Sequence, residues 1–238
     1  MSSAAGSGFQ VVVLGQRALS PTVVGLRLGP ERPGSAPLRW SAGQYFELFT
    51  EQEPERRIPY SIASHLQSER PGEFELAVSV EGSQELLSQV ASGAALYVSP
   101  ARGQFIWQES GGATLLVGIG TGLAPLRAMQ QAALAHDPNH RITLLFGART
   151  ETDLLWHEEF QRLTLQHPHF VFEPTLTHPS STWSGRRGRV QEHLANLIQP
   201  LLPDVSLYLC GRPSMVDDCT MRALDLAVPR TRIFSEAY

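Results

Sequence analysis

Residues 115–129 read LLVGIGTGLAPLRAM. An apolar run ends in Gly118, Gly120 and Gly122, and a helix-like pattern resumes from Leu123. Glycine tolerates positive φ and lets a ligand approach the backbone, because no Cβ stands in the way. A strand running into such a turn, then a helix N-terminus, presents bare N–H groups and the positive end of a dipole. That combination is a phosphate cradle. Thr121 adds a hydroxyl inside the turn, and Pro125 suits a first helical turn, where its missing N–H costs nothing. Neither standard phosphate loop fits: no Lys follows the glycines, and Leu123 fills the last glycine position of G-x-G-x-x-G. A turn that merely closes a strand-to-helix connection is the plainer reading of the glycines alone.

C-terminal to this turn, apolar runs alternate with amphipathic segments. The runs at 114–117, 142–146, 170–173, 206–210 and 232–234 read as strands, and 124–135, 151–165, 190–202 and 214–226 as helices. In the segment 190–202, Val190, Leu194, Leu197, Ile198 and Leu201 follow the 3.6-residue period. Five strands with crossover helices predict a five-stranded parallel sheet covered on both faces. N-terminal to the turn, from Phe9 to about Gln108, short β-rich runs alternate with Pro- and Gly-containing turns, which predicts an antiparallel β-barrel. One helix candidate, 83–91, interrupts them. The expected organisation is therefore a disordered 1–8, a barrel at 9–109 and an α/β domain at 110–238, joined at ESGG (109–112). A ligand cleft belongs between the two, at the carboxyl ends of the parallel strands.

Composition excludes several classes. The chain has 238 residues, 42% of them hydrophobic, and a net charge of −4, which argues against a general nucleic-acid binder. All 19 basic residues are Arg, so lysine chemistry of any kind is out of reach. Two cysteines, Cys210 and Cys219, are too few for a disulfide framework or a four-thiolate cluster and are expected as free thiols in a reducing cytoplasm. The pairs His136/His140 and His167/His169 each flank a proline, so neither lies on one helix face as metal ligands would. No apolar run approaches membrane-spanning length, and the N-terminus lacks the layout of a signal peptide. No metal, no nucleic-acid partner and no membrane insertion are expected, and the chain is read as a cytoplasmic monomer.

Four segments and the terminus align in order with one family. They are WSAGQYFEL (40–48), PYSIAS (59–64), GIGTGLAP (118–125), LYLCGRPSM (207–215) and the final Glu-Ala-Tyr (236–238). From Phe9 to Tyr238 the chain resembles the ferredoxin–NADP reductase family of flavoproteins, whose plant-type members end in the same way. The resemblance implies FAD in the barrel domain and NAD(P) in the α/β domain. It implies Tyr60 stacked on the flavin, Ser61 with its hydroxyl near flavin N5, and Ile62 and Ala63 lining the same site. A flat aromatic on a strand suits a flat ring whatever the family name. A plain core aromatic in a barrel strand is the competing reading for Tyr60.

The family carries Arg two residues before that Tyr, to bind flavin phosphate; here Ile58 stands there, with Arg57 one place earlier. Either a local bulge brings Arg57 to the phosphate, or the backbone at Gly82 and Ser83 serves as the anion site. By the same resemblance Cys210, followed by Gly211, lies beside the nicotinamide. Glu236 relays protons through Ser61, and Tyr238 covers the flavin face that nicotinamide must take. Gly120, Thr121, Gly122 and Pro125 would hold the nucleotide pyrophosphate, and Arg149 would lie near the adenosine ribose. Arg186, Arg187 and Arg189 in SGRRGRV either receive a 2′-phosphate or form a solvated cluster. No Asp ends the second nucleotide-domain strand, and Glu151 is the nearest acid, so NADP(H) is preferred over NAD(H).

The implied activity is electron exchange between NADP(H) and a one-electron carrier, ferredoxin or flavodoxin, through FAD. The alternative on the same scaffold is an NAD(P)H:flavin reductase or the reductase component of an oxygenase. It is favoured by the charge of residues 9–108, where Glu outnumbers Arg, although Arg17, Arg56 and Arg57 could form a local steering patch. A non-catalytic nucleotide-sensing subunit is the reading from another class, and Ser61, Cys210 and Glu236 argue against it.

Overall fold

The computed structural model describes residues 8–31, 38–66, 70–80, 90–109 and 112–238. Residues 83–89 of the helix expected at 83–91, the donors Gly82 and Ser83, and the first seven residues lie outside that set. The N-terminal sheet contains β1 (Phe9–Ser20), β2 (Val23–Gly29), β3 (Tyr45–Phe49), β4 (Ile58–Ser61), β5 (Phe74–Ser79) and β6 (Ala95–Val98). Their order is β4-β3-β6-β1-β2-β5, with every pairing antiparallel. A bridge between Ile62 and Leu76 joins the two ends, so the sheet closes as expected for a barrel. Closure removes the exposed edges that an open sheet would offer for stray pairing. Inside, Trp40, Phe46 and Phe74 meet edge to face with centroids 4.8–6.0 Å apart, and the Trp40 indole donates to Ser64 O at 2.8 Å. Complete burial of a Phe such as Phe46 stabilises by about 1.5–3 kcal/mol.

The second sheet is wholly parallel. It contains β7 (Ala113–Ile119), β8 (Ile142–Ala148), β9 (Phe170–Leu176), β10 (Arg186–Arg187), β11 (Val205–Gly211) and β12 (Ile233–Ala237), in the order β10-β9-β8-β7-β11-β12. The helices are α1 (Leu123–His136), α2 (His157–Gln166), α3 (Val190–Ile198) and α4 (Pro213–Asp225). Along β7 the side chains alternate: Leu116 joins the core under α1 and α2, while Leu115 and Val117 join the core under α3 and α4. Both faces are therefore covered, which is why β7 and β11 read as unbroken apolar runs. From β7 the chain steps outward to β8, β9 and β10, then returns to place β11 on the other side of β7. The order reverses beside β7, and Gly118 and Cys210 pair across that point.

Some boundaries differ from expectation. The segment read as one helix, 151–165, is a 3-10 turn at Glu151–Asp153 followed by α2. Trp156 at φ 51 breaks the continuity, and the Thr150–Asp153 capping box starts the short turn. Pro200 converts the end of the third helix into a 3-10 turn at Gln199–Leu201. The sheet has six strands rather than five, because Arg186 and Arg187, read as loop, pair with Thr175 and Leu176. The last strand runs longer than 232–234, reaching Ala237.

The barrel and the α/β layer share one apolar cluster. Ala42, Ala63, Ala77 and Phe105 from the first pack with Leu123, Ala124, Ala128 and Met129 of α1. The segment leading out of the barrel is also tied down, with Gln108 N–H donating to the Tyr208 hydroxyl at 2.8 Å.

Candidate active site

A cavity of about 380 Å³ opens between the two layers at the switch point. Tyr45, Pro59, Tyr60, Ser61 and Ala77 form its barrel wall. Thr121 and Ala124 from the Gly-rich turn and α1, with Glu236, Ala237 and Tyr238 from the end of β12, form the other. Its size lies within the range of small-molecule clefts.

On the barrel wall Tyr60 is 5% exposed, and its buried hydroxyl has no hydrogen-bond partner among the described residues. Loss of water pushes that hydroxyl up to about 12, so it stays protonated. A buried donor left unpaired is costly, and a ligand oxygen would relieve it. Ser61 pairs with Tyr45 in the β3–β4 ladder and faces the cavity. Ile62 and Ala63 are buried, and their N–H groups already donate to Gln44 O at 2.9 Å and Glu75 O at 2.7 Å. Those two amides therefore belong to the barrel rather than to a ligand. The β3–β4 register runs unbroken from Leu48↔Ile58 to Tyr45↔Ser61. Arg57, just outside that register, lies with its guanidinium 4.2 Å over the Phe49 ring.

On the opposite wall the turn is a single 3-10 turn, Gly120–Gly122, leading directly into α1. Gly120 takes φ +54, a conformation L side chains rarely adopt. At Gly122 a Cβ would sit 2.5 Å from Cys210 O, so only glycine lets the turn pack on the β11 end. Cys210 is completely buried, and burial, reinforced by the Glu236 charge, holds its thiol protonated. Glu236 stands opposite Cys210 in the β11–β12 ladder, and burial raises its carboxyl above the usual range.

Tyr238 continues along the sheet beyond β12. Its N–H donates to Gly211 O at 3.3 Å, its hydroxyl donates to Ile119 O at 3.2 Å, and Thr121 Oγ1 donates to that hydroxyl at 3.2 Å. The residue is 58% exposed, yet its hydroxyl is held inside the turn and pushed up to about 12 by desolvation. The Tyr238 side chain therefore covers the Gly-rich turn.

The arginines expected near the nucleotide divide. Arg186 donates from Nε to Glu173 Oε2 at 2.7 Å, and Arg187 folds back onto the carbonyls of Trp183 at 2.8 Å and Ser180 at 3.3 Å. Arg149, after β8, and Arg189, at the start of α3, are exposed at the carboxyl side of the sheet. Glu151 accepts two hydrogen bonds from Ser180, which are the main cause of its lowered carboxyl pKa. Pro125 lies in the first turn of α1, and Gly211 closes β11 beside the same turn.

Tyr45, Pro59, Ala77 and Ala237 also line the cavity, and sequence reading did not single them out. The small residues that leave room for a ligand resemble any other core alanine. Tyr45, next to the quoted Gly43-Gln44, carried the nearest thing to a signal.

A closed barrel docked on a doubly covered parallel sheet, with an aromatic-walled cleft at the switch point, is the framework of a nucleotide-dependent oxidoreductase. The oxidoreductase NAD-binding domain family matches residues 116–221. Ferredoxin--NADP reductase B of Sorangium cellulosum is 33% identical over 243 residues, covering 97% of each chain. The reductase component of the naphthalene 1,2-dioxygenase/salicylate 5-hydroxylase systems of a Ralstonia species is 31% identical over 207 residues. That match covers 85% of this chain but 61% of the Ralstonia protein. Among solved structures, the Amycolatopsis cytochrome P450 reductase GcoB superposes with a TM-score of 0.84 at 27% identity, over 97% of this chain and 69% of that one. The chain belongs to the ferredoxin–NADP reductase family. It is an FAD-dependent oxidoreductase with a binding site for NAD(P).

The residues present fit a flavin ring system. The cleft offers a buried aromatic wall, an orphaned Tyr60 hydroxyl and the Ser61 side chain on one side. No group of residues that could hold a metal ion occurs among the described residues. No helix among them is long and apolar enough to cross a membrane.

Proposed function

We propose that the protein passes electrons between NADP(H) and a one-electron carrier protein of the ferredoxin or flavodoxin kind. The observation that carries this reading is the convergence of Tyr60, Ser61, Glu236 and Tyr238 on one cavity at the switch point. The near end-to-end similarity to the Sorangium reductase supports the carrier class.

When bound, FAD supplies the hydride and single-electron chemistry. Tyr60 would give its ring a flat apolar support, and the Ser61 hydroxyl would serve its reacting edge. Glu236, whose carboxyl pKa burial raises, would exchange protons with that edge through Ser61. Cys210, a neutral thiol beside Glu236, gives nicotinamide a small polarizable neighbour that does not compete for hydride. Tyr238 shields the site until nicotinamide displaces it. Thr121, Pro125, Gly211 and the Gly120–Gly122 amides receive the nucleotide pyrophosphate at the start of α1.

For the adenosine end, preference for the 2′-phosphate follows from charge. Glu151 is engaged by Ser180 and is poorly placed to select a bare ribose hydroxyl. Arg149 and Arg189 offer exposed cations, whereas Arg186 and Arg187 act mainly through the loop they brace.

The second reading, the reductase component of an oxygenase or an NAD(P)H:flavin reductase, is favoured by one observation. Arg17 pairs with Glu75 and Glu159, and Arg56 with Glu53, which weakens the basic patch that would steer an acidic carrier. Anaerobic NADPH titration of the FAD-loaded protein, followed by ferredoxin turnover at rising salt, separates these readings. The carrier reading expects flavin bleaching and a ferredoxin rate that falls as charges are screened over about 10 Å at 0.1 M ionic strength. Rapid turnover of free FMN without ferredoxin activity overturns it.

A further inference from the structure

Arg127, in the first turns of α1, is 5% exposed and makes contacts in both layers of the molecule. Within the α/β layer it forms a fork with Glu159 of α2, Nε to Oε1 at 2.7 Å and Nη2 to Oε2 at 2.9 Å. Toward the barrel, Nη1 donates to Ala63 O at 2.7 Å and to Glu75 Oε2 at 3.1 Å. The guanidinium also lies 4.9 Å over the Trp156 ring. Trp156 takes φ 51, an unusual conformation for so bulky a residue, and it caps the helix that carries Glu159. Backbone strain, a stacked ring and two carboxylates thus converge on one buried cation.

The two ends of this clamp matter because of what lies beside them. Ala63 follows Ser61 by two residues, and Ser61 and Tyr60 form one wall of the cavity. Arg127 follows Ala124 by three and Thr121 by six, and those residues form the other wall. A bidentate arginine resists sliding in a way that an apolar contact does not, since its donors have fixed directions. We infer that Arg127 is a positioning residue that sets the gap between β4 and the Gly-rich turn, and with it the approach of nicotinamide to flavin. This rests on the assignment of the cavity to those two rings. Arg127 touches neither ring; it acts through Ala63 and α1.

The test compares the FAD-loaded wild type with Arg127→Met. Rapid mixing gives the rate of flavin reduction at saturating NADPH, and titration gives the nucleotide dissociation constant. Amide hydrogen exchange on the flavin-free proteins reads residues 61–64 and 121–126 directly. A displacement near 1 Å costs up to about a hundredfold in a positioned reaction. The expected result is a saturating rate lower by roughly tenfold or more, a dissociation constant changed less than about twofold, and faster exchange in both segments. Arg127→Lys keeps the charge without the fork, and should recover melting temperature more fully than rate. An unchanged saturating rate, or faster exchange in one segment only, overturns the inference. If Arg127→Met does not fold, Glu75→Gln weakens the barrel-side arm, with Arg17→Gln as the control for the Arg17–Glu75 pair that it also removes. Glu75→Gln should show the same split at roughly threefold, and no change there is equally fatal. A wild type whose flavin NADPH fails to reduce refutes the ring assignment instead, and the exchange comparison then decides Arg127's structural part alone.

Discussion

Cys210 and Glu236 face each other across the ladder between β11 and β12, and both sit where burial favours the protonated form. One ladder position thus holds a thiol and a carboxyl beside the Gly-rich turn, with Tyr238 two residues farther along.

The carboxyl yields a pH prediction. Because the folded protein raises the pKa of Glu236, its favourable contribution is complete below the unfolded carboxylate pKa and is lost as pH rises through the folded value. Glu236→Gln imitates the protonated form at every pH. Its melting temperature should match the wild type near pH 3.5, below the ordinary carboxylate value of about 4.3, and exceed it at pH 7. Proton delivery should suffer at the same time, so turnover falls. A constant temperature difference across the pH range would show that the carboxyl pays nothing for its burial.

Tyr238→Ser removes the hydroxyl bonded to Ile119 O and Thr121 Oγ1, and with it the ring over the turn. A site that is closed part of the time binds more weakly by the fraction of time it is open. The variant should bind NADP(H) on the order of tenfold more tightly, equivalent to about 1.4 kcal/mol, and turn over more slowly as product release becomes limiting. Binding titration with a search for a long-wavelength charge-transfer band checks this. Weaker binding would remove the gate.

Selectivity should follow exposure among the arginines. Arg149→Ala and Arg189→Ala should each raise the Michaelis constant for NADPH about tenfold, with little change for NADH, if each loses a charge-assisted contact of about 1.5 kcal/mol. Arg186→Ala, which breaks the pair with Glu173, should affect both nucleotides alike through the β9–β10 ladder. Parallel steady-state kinetics with the two nucleotides decide it.

Tyr208→Phe should destabilise without altering the cavity lining. Its hydroxyl accepts the Gln108 N–H at 2.8 Å in the segment between barrel and sheet, and its ring stacks on Phe234 at 4.8 Å. Phe keeps the stacking and orphans the amide, at a cost of about 1–2 kcal/mol in denaturant titration. That corresponds to a melting temperature lower by roughly 2–8 °C.

The parallel sheet was legible because β7 and β11 are buried on both faces and announce themselves as apolar runs. The barrel was legible from its turns and alternation. Arg186 and Arg187 were not readable as strand, since two polar residues carry no period. The break at Trp156 depends on a left-handed backbone that no local residue pattern demands. In the site, Tyr60, Ser61, Thr121, Glu236 and Tyr238 lie in contiguous motifs, and the fold brings them to one cavity. Arg127 was invisible for the opposite reason: its partners lie 64, 52 and 32 residues away, and only the docking of two layers assembles them.

Cys210 and Cys219 are both fully buried with their thiols held protonated, and the chain has no third cysteine and no lysine. Ordinary thiol and amine reagents therefore find almost nothing on the folded surface beyond the α-amino group. One cysteine introduced at an exposed position, such as Leu165 at 86% exposure, would be a unique attachment point. A fluorophore or a conducting tether could be fixed there without deleting a native residue elsewhere, and the enzyme could be wired to an electrode in a single orientation.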